Sequence, residues 1–230
     1  MMKYRQSVDY QQLFIPKKEI LNPLFEEDFL SKEIDFSKYN KNGFSLRLHQ
    51  EKAIKFLTTR KKGIISLDMG LGKTATAIVA ALENNYQKVC VICPASLKIN
   101  WKEEIERFIP SDDITIVEGS KWDESRFTII NYDILKKFYI VPKETKKIKQ
   151  KEYTDNGIKW TTVEKEVKTN KKDIVDDCLD NSQLFQANFD LLIIDEAHRL
   201  SNKTSGMYQI VEDFIKRTKI DSIFELTGTM

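Results

Sequence analysis

GIISLDMGLGKT, residues 63–74, joins a short apolar run to a glycine-rich turn and then to the start of a helix. Ile64, Ile65 and Leu67 mark a buried strand over 63–68, and Ala75, Ile78, Val79 and Leu82 recur on one face of a helix over Thr74–Leu82. Between them lies Asp68-Met69-Gly70-Leu71-Gly72-Lys73-Thr74. A polyphosphate needs backbone N–H groups turned inward, a cation and a metal bridge. Glycines let the chain curl close to the anion, and the helix that follows adds its positive end. Met69, Gly70, Leu71, Gly72, Lys73, Thr74 and Ala75 are therefore the nucleotide-binding candidates. Lys73 is placed to reach the β- and γ-phosphates of ATP, and the Thr74 hydroxyl to ligate Mg²⁺. The strict pattern has glycine five positions before Gly72, where this chain has Leu67.

The same alternation continues outward. KVCVIC (88–93), ITIVEG (114–119), RFTIINY (126–132), FDLLIIDE (189–196) and SIFELTG (222–228) have the composition of strands. Leu97, Trp101, Ile105 and Phe108 keep helical spacing, as do Met207, Ile210, Val211, Phe214 and Ile215. Upstream, a helix is predicted from near Leu46, with Gln50, Ala53, Ile54 and Leu57 in step and Gly63 beyond its end. Apolar strands alternating with amphipathic helices predict an α/β fold whose mostly parallel sheet is covered on both faces. Ligands of such sheets bind beyond the carboxyl ends of the strands, where each chemistry-bearing motif falls.

Asp195-Glu196-Ala197-His198 leaves the apolar run LLII. Phosphoryl hydrolysis needs one carboxylate for the metal and another group to orient the attacking water. Asp195 is assigned to Mg²⁺, through its water shell, and Glu196 to the water. Leu226-Thr227-Gly228-Thr229 ends the last strand with small hydroxyl residues. Gln50, in Leu46-Arg47-Leu48-His49-Gln50, can match the adenine edge with one donor and one acceptor.

Bulk charge is no guide to a partner, because 37 basic and 35 acidic residues leave the 230-residue chain at only +2. Three cysteines provide no disulfide framework and fit a reducing, cytoplasmic setting. Cys90 and Cys93 are three apart on a predicted strand, so their thiols point to opposite faces and do not form half of a zinc site. The N-terminal residues lack a signal-peptide core, and no apolar run approaches the ~18 residues of a membrane span. One stretch breaks the rhythm: residues 143–172 carry ten lysines, with Asp155-Asn156-Gly157 as a turn signal in the middle and Asp173, Asp176, Asp177 and Asp180 just after. An inserted hairpin or arm is predicted over about 141–182. A solvated, variable insertion is the preferred reading, and a basic hairpin gripping duplex DNA through Tyr153 or Trp160 is the other.

L-R-x-H-Q, DMGLGKT, CPASLKINW, INYDIL, DEAH and LTGT, in this order over about residues 45–230, resemble the first RecA-like lobe of superfamily 2 helicase-like ATPases. M-G-L-G-K-T and P-A-S-L…W look most like the Swi/Snf group of duplex-DNA translocases. The resemblance implies catalysis by Glu196, Asp195 and Lys73, and coupling of nucleotide state to DNA by His198, Thr227 and Thr229. It implies phosphate-backbone contacts from Pro94, Ala95, Ser96, Asn131 and Tyr132, which position without reading sequence. Leu48 and Met230 stand where the family often has proline. Residues 1–44 are expected to be a lead-in packing on the core. Nothing follows residue 230 that could be the family's second RecA-like lobe, so weak hydrolysis is expected until that lobe is supplied in cis, in a longer motor, or in trans. A strand-separating helicase or restriction-complex motor shares these motifs. A non-motor, ATP-dependent nucleic-acid-binding module is the alternative outside motor chemistry.

Overall fold

A computed structural model describes residues 11–14, 30–40, 43–119, 122–137, 143–154, 157–168 and 183–228. In chain order the elements are β1 (Gln11–Phe14), α1 (Leu48–Thr59), β2 (Lys62–Ser66), α2 (Lys73–Glu83), β3 (Val89–Cys93), α3 (Lys98–Glu106), β4 (Ile114–Ile116) and β5 (Phe127–Asn131). Then come α4 (Tyr132–Lys137), β6 (Lys143–Thr154), β7 (Gly157–Lys168), α5 (Gln183–Gln186), β8 (Leu191–Ile194), α6 (Gly206–Thr218) and β9 (Ser222–Thr227). Among the described residues, seven strands form one sheet in the order β1-β2-β9-β8-β3-β5-β4, with every pairing parallel. β6 and β7 form a separate antiparallel pair.

The period of two along each strand divides the core. Val89, Val91 and Cys93 of β3 join Ile54 and Leu57 of α1, Ile78 of α2 and Trp101 of α3 on one face. Cys90 and Ile92 join Leu135 of α4, Leu184 of α5 and Phe214 of α6 on the other. The two thiols diverge, as strand geometry requires. Both faces are covered, so the central strands are apolar throughout rather than alternating. Leu30, Ile34, Phe36, Tyr39 and Phe44 pack against the first of these clusters.

The elements are shorter than their apolar runs. β5 stops at Asn131, and Tyr132 already belongs to a helix. α3 ends at Glu106, so Phe108 packs from the turn beyond it. The predicted hairpin is present, with Thr154 pairing with Gly157, and Asp155 and Asn156 lie outside the described residues. Asp173, Asp176, Asp177, Asp180, Cys178 and Thr229 lie outside the described residues.

Candidate nucleotide site

Parallel strands bring their carboxyl ends to one edge, so the loops after β2, β3, β5, β8 and β9 line the same rim. The phosphate loop leaves β2 with Gly70 at φ 79° and Gly72 at φ 77°, both left-handed. Gly72 caps the start of α2. A Cβ there would lie 2.3 Å from Gln50 Nε2, so glycine is needed for space as well as for φ.

Gln50 is buried and links α1 to this loop. Its Oε1 accepts from the Arg47 N–H at 2.9 Å, and its Nε2 donates to the Gly72 carbonyl at 3.3 Å. An amide has two donors and two lone pairs, so a further donor and acceptor remain. His49 Nε2 lies 3.0 Å from the Leu71 carbonyl and ties the same helix start to the same loop. Lys73 Nζ donates to the Leu67 carbonyl at 3.1 Å, beside Gly228 at the end of β9. Met69 and Gly70 are exposed, whereas Ala75 is buried under the first turn of α2.

Asp195 sits at the end of β8, only 5% exposed. Its N–H donates to the Ile92 carbonyl at 2.8 Å, extending the ladder between β8 and β3 by one residue. Its Oδ2 accepts from Trp101 Nε1 at 2.8 Å and its Oδ1 from the Glu196 N–H at 2.9 Å. Burial pushes the carboxyl above the usual aspartate range. The Trp101 and Glu196 N–H bonds and the Lys73 charge oppose that rise, and the Glu196 carboxylate adds to it. Glu196 is left-handed at φ 52°, an uncommon state for a residue with a Cβ, and this turns its side chain out of the strand line. His198 Nδ1 stands 3.1 Å from Glu196 Oε2, which assigns the Nδ1 proton to that bond.

The residues expected along a nucleic-acid track divide. Ala95 and Ser96 are exposed on the turn after β3, while Pro94 beneath them is buried. Asn131 and Tyr132 lie inside, 5% and 4% exposed, rather than on the rim. The Tyr132 hydroxyl donates to the Asp195 carbonyl at 2.6 Å, and the Arg199 guanidinium lies 5.9 Å from its ring centroid. Asn131 Oδ1 is buried and finds no partner among the described residues. Thr227 is buried at the end of β9, where its carbonyl accepts from the Leu67 N–H at 3.2 Å.

Trp101 and Tyr132 are site residues that sequence reading treats as a core position and a surface position. A buried indole N–H needs an acceptor, so a core tryptophan signalled a polar partner, and tertiary structure supplied Asp195. Nothing local pointed to the Tyr132 contact with a main-chain carbonyl 63 residues away.

The Lys73 charge is felt by the Asp195 carboxyl across the rim, beside a loop held in left-handed turns at Gly70 and Gly72. The SNF2-related domain family matches residues 49–229. The chain belongs to that family. This SNF2-related domain is 26% identical over 209 residues to mouse chromodomain-helicase-DNA-binding protein 1-like, covering 86% of the chain and 19% of the relative. It is 28% identical over 193 residues to the ISWI chromatin-remodeling complex ATPase ISW1 of Saccharomyces cerevisiae, covering 80% and 14%. The chain therefore spans less than a fifth of the length of these relatives. A hypothetical ATP-dependent RNA helicase from Sulfolobus tokodaii shares the fold at a TM-score of 0.53 and 16% identity, over 84% of this chain and 49% of that one. The SNF2-related domain thus has the RecA-like fold of helicase domains. No helix among the described residues is long and apolar enough to cross a membrane.

The donor set fits MgATP. The Thr74 hydroxyl and the Asp195 carboxylate are hard oxygen ligands of the kind Mg²⁺ takes, and each Asp195 oxygen keeps a lone pair after its N–H bond.

Proposed function

We propose that this domain is the ATP-binding motor lobe of a DNA-dependent ATPase that moves on or remodels duplex DNA and hydrolyses ATP efficiently once a second RecA-like lobe completes it. The observation that carries the reading is the Asp195 carboxylate, held by Trp101 at the strand end that faces Lys73. Gly70 and Gly72 let the loop wrap the phosphates, Lys73 neutralises the β- and γ-phosphates, and Gln50 is the adenine candidate. Thr74, and Asp195 through the metal's water shell, would hold Mg²⁺, which would supply charge neutralisation at the phosphate oxygens. Glu196 orients a water toward the γ-phosphorus and takes its proton as the bond to ADP breaks. His198 braces Glu196, and with Thr227 and Thr229 it couples that step to the DNA track. The exposed Ala95 and Ser96 are the backbone contacts on the rim, with Asn131 and Tyr132 supporting it from beneath.

The test is ATP binding and phosphate release by this chain with no nucleic acid, with single-stranded DNA and with duplex DNA, alongside Lys73→Ala. The reading expects Lys73-dependent binding of MgATP, slow basal release and greater stimulation by duplex than by single strands. Equal ATP binding by Lys73→Ala would overturn the site. Stronger stimulation by single strands would point to a strand-separating helicase.

A further inference from the structure

β6 and β7 pair over their full twelve-residue lengths and form a ribbon outside the main sheet. Their 24 residues contain eight lysines and four glutamates, a net +4. The whole chain is only +2, so all the rest of it together is net negative, at −2. The positive charge that bulk composition hides is concentrated here.

Register then separates the faces. In an antiparallel pair, opposed residues share a face and alternate residues fall on opposite faces. Lys147, Lys149 and Lys151 lie on one face, opposite Glu164, Thr162 and Trp160 in turn. All three lysines are exposed, and one glutamate lies 3.6 Å from Lys147. The other face carries Ile148 opposite Val163 and Gln150 opposite Thr161, flanked by the register pairs Lys146–Lys165 and Glu152–Lys159, so the run of three lysines on one strand is particular to the first face. A two-stranded ribbon on its own is marginal in water, so partner binding is a direct way to stabilise it.

We propose that the Lys147–Lys149–Lys151 face of the ribbon is a second DNA contact, gripping the phosphate backbone of the duplex on which the motor lobe acts. The inference rests on the duplex-DNA reading above. Four residues separate Lys147 from Lys151, about 14 Å at ~3.4 Å per residue, so the three ammonium groups repeat at about 7 Å along one face. A two-stranded ribbon also fits the width of the major groove. Trp160 is 58% exposed, but the Lys151 ammonium lies 5.2 Å from its ring centroid. One face of the indole is therefore occupied by a cation, which favours backbone contact over stacking on an unpaired base.

The test uses the full chain and a fluorescent duplex, with affinity read by anisotropy across a salt series. Lys147→Gln/Lys149→Gln/Lys151→Gln is compared with wild type and with the matching triple arginine variant. Each lost phosphate contact removes about 0.9 from the slope of log affinity against log salt, so the glutamine variant should lose about 2.7 and bind roughly 100- to 1000-fold more weakly near ~0.1 M salt. The arginine variant should restore the slope, and ATP affinity should be unchanged in all three proteins, which reports an intact lobe. A wild-type slope in the glutamine variant would overturn the ribbon contact and leave the motor reading standing. Absence of duplex binding by wild type would overturn both. A larger ribbon-dependent slope on single-stranded DNA, or displacement of duplex by polyglutamate at equal charge, would replace the duplex with a single strand or an acidic protein.

Discussion

Trp101 Nε1 donates a 2.8 Å hydrogen bond to Asp195 Oδ2, although the two residues are 94 positions apart and both are buried. Trp101 lies on α3, which follows the Pro94–Ser96 turn, and Asp195 opens the acidic box. A shift of that turn is therefore transmitted to the carboxylate through one rigid side chain. Tyr132 holds the carbonyl of the same residue from the segment after β5.

Trp101→Phe keeps most of the ring and removes the donor. A buried hydrogen bond to a charged group contributes about 1.5–3 kcal/mol, and partners of metal ligands typically change metal affinity about 10- to 100-fold. The variant should need more Mg²⁺ to bind ATP and should unfold at lower temperature. In the nucleotide-free protein, NMR should show Asp195 ionising above the ordinary aspartate value of 3.8, and higher still in Trp101→Phe. Because the folded state holds this proton more tightly than the unfolded chain does, the associated stability is present at low pH. It is lost as pH rises from 3.8 through the folded value. Unchanged Mg²⁺ dependence would show that the indole only fills space.

Glu196→Gln keeps the side-chain shape and the left-handed turn but removes the proton acceptor. ATP affinity should stay within about twofold while turnover falls about 10²- to 10⁴-fold. His198→Ala removes the 3.1 Å brace and should leave ATP binding intact while reducing stimulation by DNA. Normal turnover in Glu196→Gln would end the assignment of the water-orienting role.

Gly72→Ala meets two costs that a double-mutant cycle separates. The left-handed φ of 77° costs about 1–2 kcal/mol for a residue with a Cβ. The new methyl also displaces the Gln50 amide, which loses its bonds to Gly72 and Arg47. Gln50→Ala removes the second cost in advance, so the double variant should be less destabilised in urea than the sum of the singles. Strict additivity would show that Gln50 and Gly72 are not coupled.

Cys90 and Cys93 should resist iodoacetamide at pH 7–8 until the protein unfolds. Burial raises both thiols above the ordinary value of 9.0, and Cys93, which also faces the Asp195 charge, is pushed up to about 12 despite Lys98. Their protonated forms stabilise the fold below 9.0, and this contribution is lost only as pH climbs toward about 12. Peptide mapping by mass spectrometry should show labelling of both rising with urea. Rapid labelling of either in the native protein would contradict the packing.

Local chemistry was legible along the chain. Buried strands announced themselves as VCVIC and LLII, because short apolar runs with β-branched residues, bounded by polar residues or proline, suit strands covered on both faces. The period of two placed Cys90 and Cys93 on opposite faces, and a glycine turn between a strand and a helix located the phosphate loop. The run Asp155-Asn156-Gly157 signalled the hairpin, since such residues favour tight turns.

Long-range contacts were decided only by tertiary structure. β2 pairs with β9, 161 residues further along at Lys62↔Ile223 to Ser66↔Thr227, and no residue of either strand encodes its partner. Exposure of Asn131 and Tyr132 could not be read from INYDIL, because it depends on whether α4 and the acidic box close over the end of β5. Which groups stand opposite Lys147, Lys149 and Lys151 on the ribbon required the register of two strands, which composition leaves open. Residue type and spacing specify which groups can bind phosphate or hold a metal. Packing decides which of them meet, because hydrogen bonds and burial act over a few ångströms of space whatever the distance along the chain.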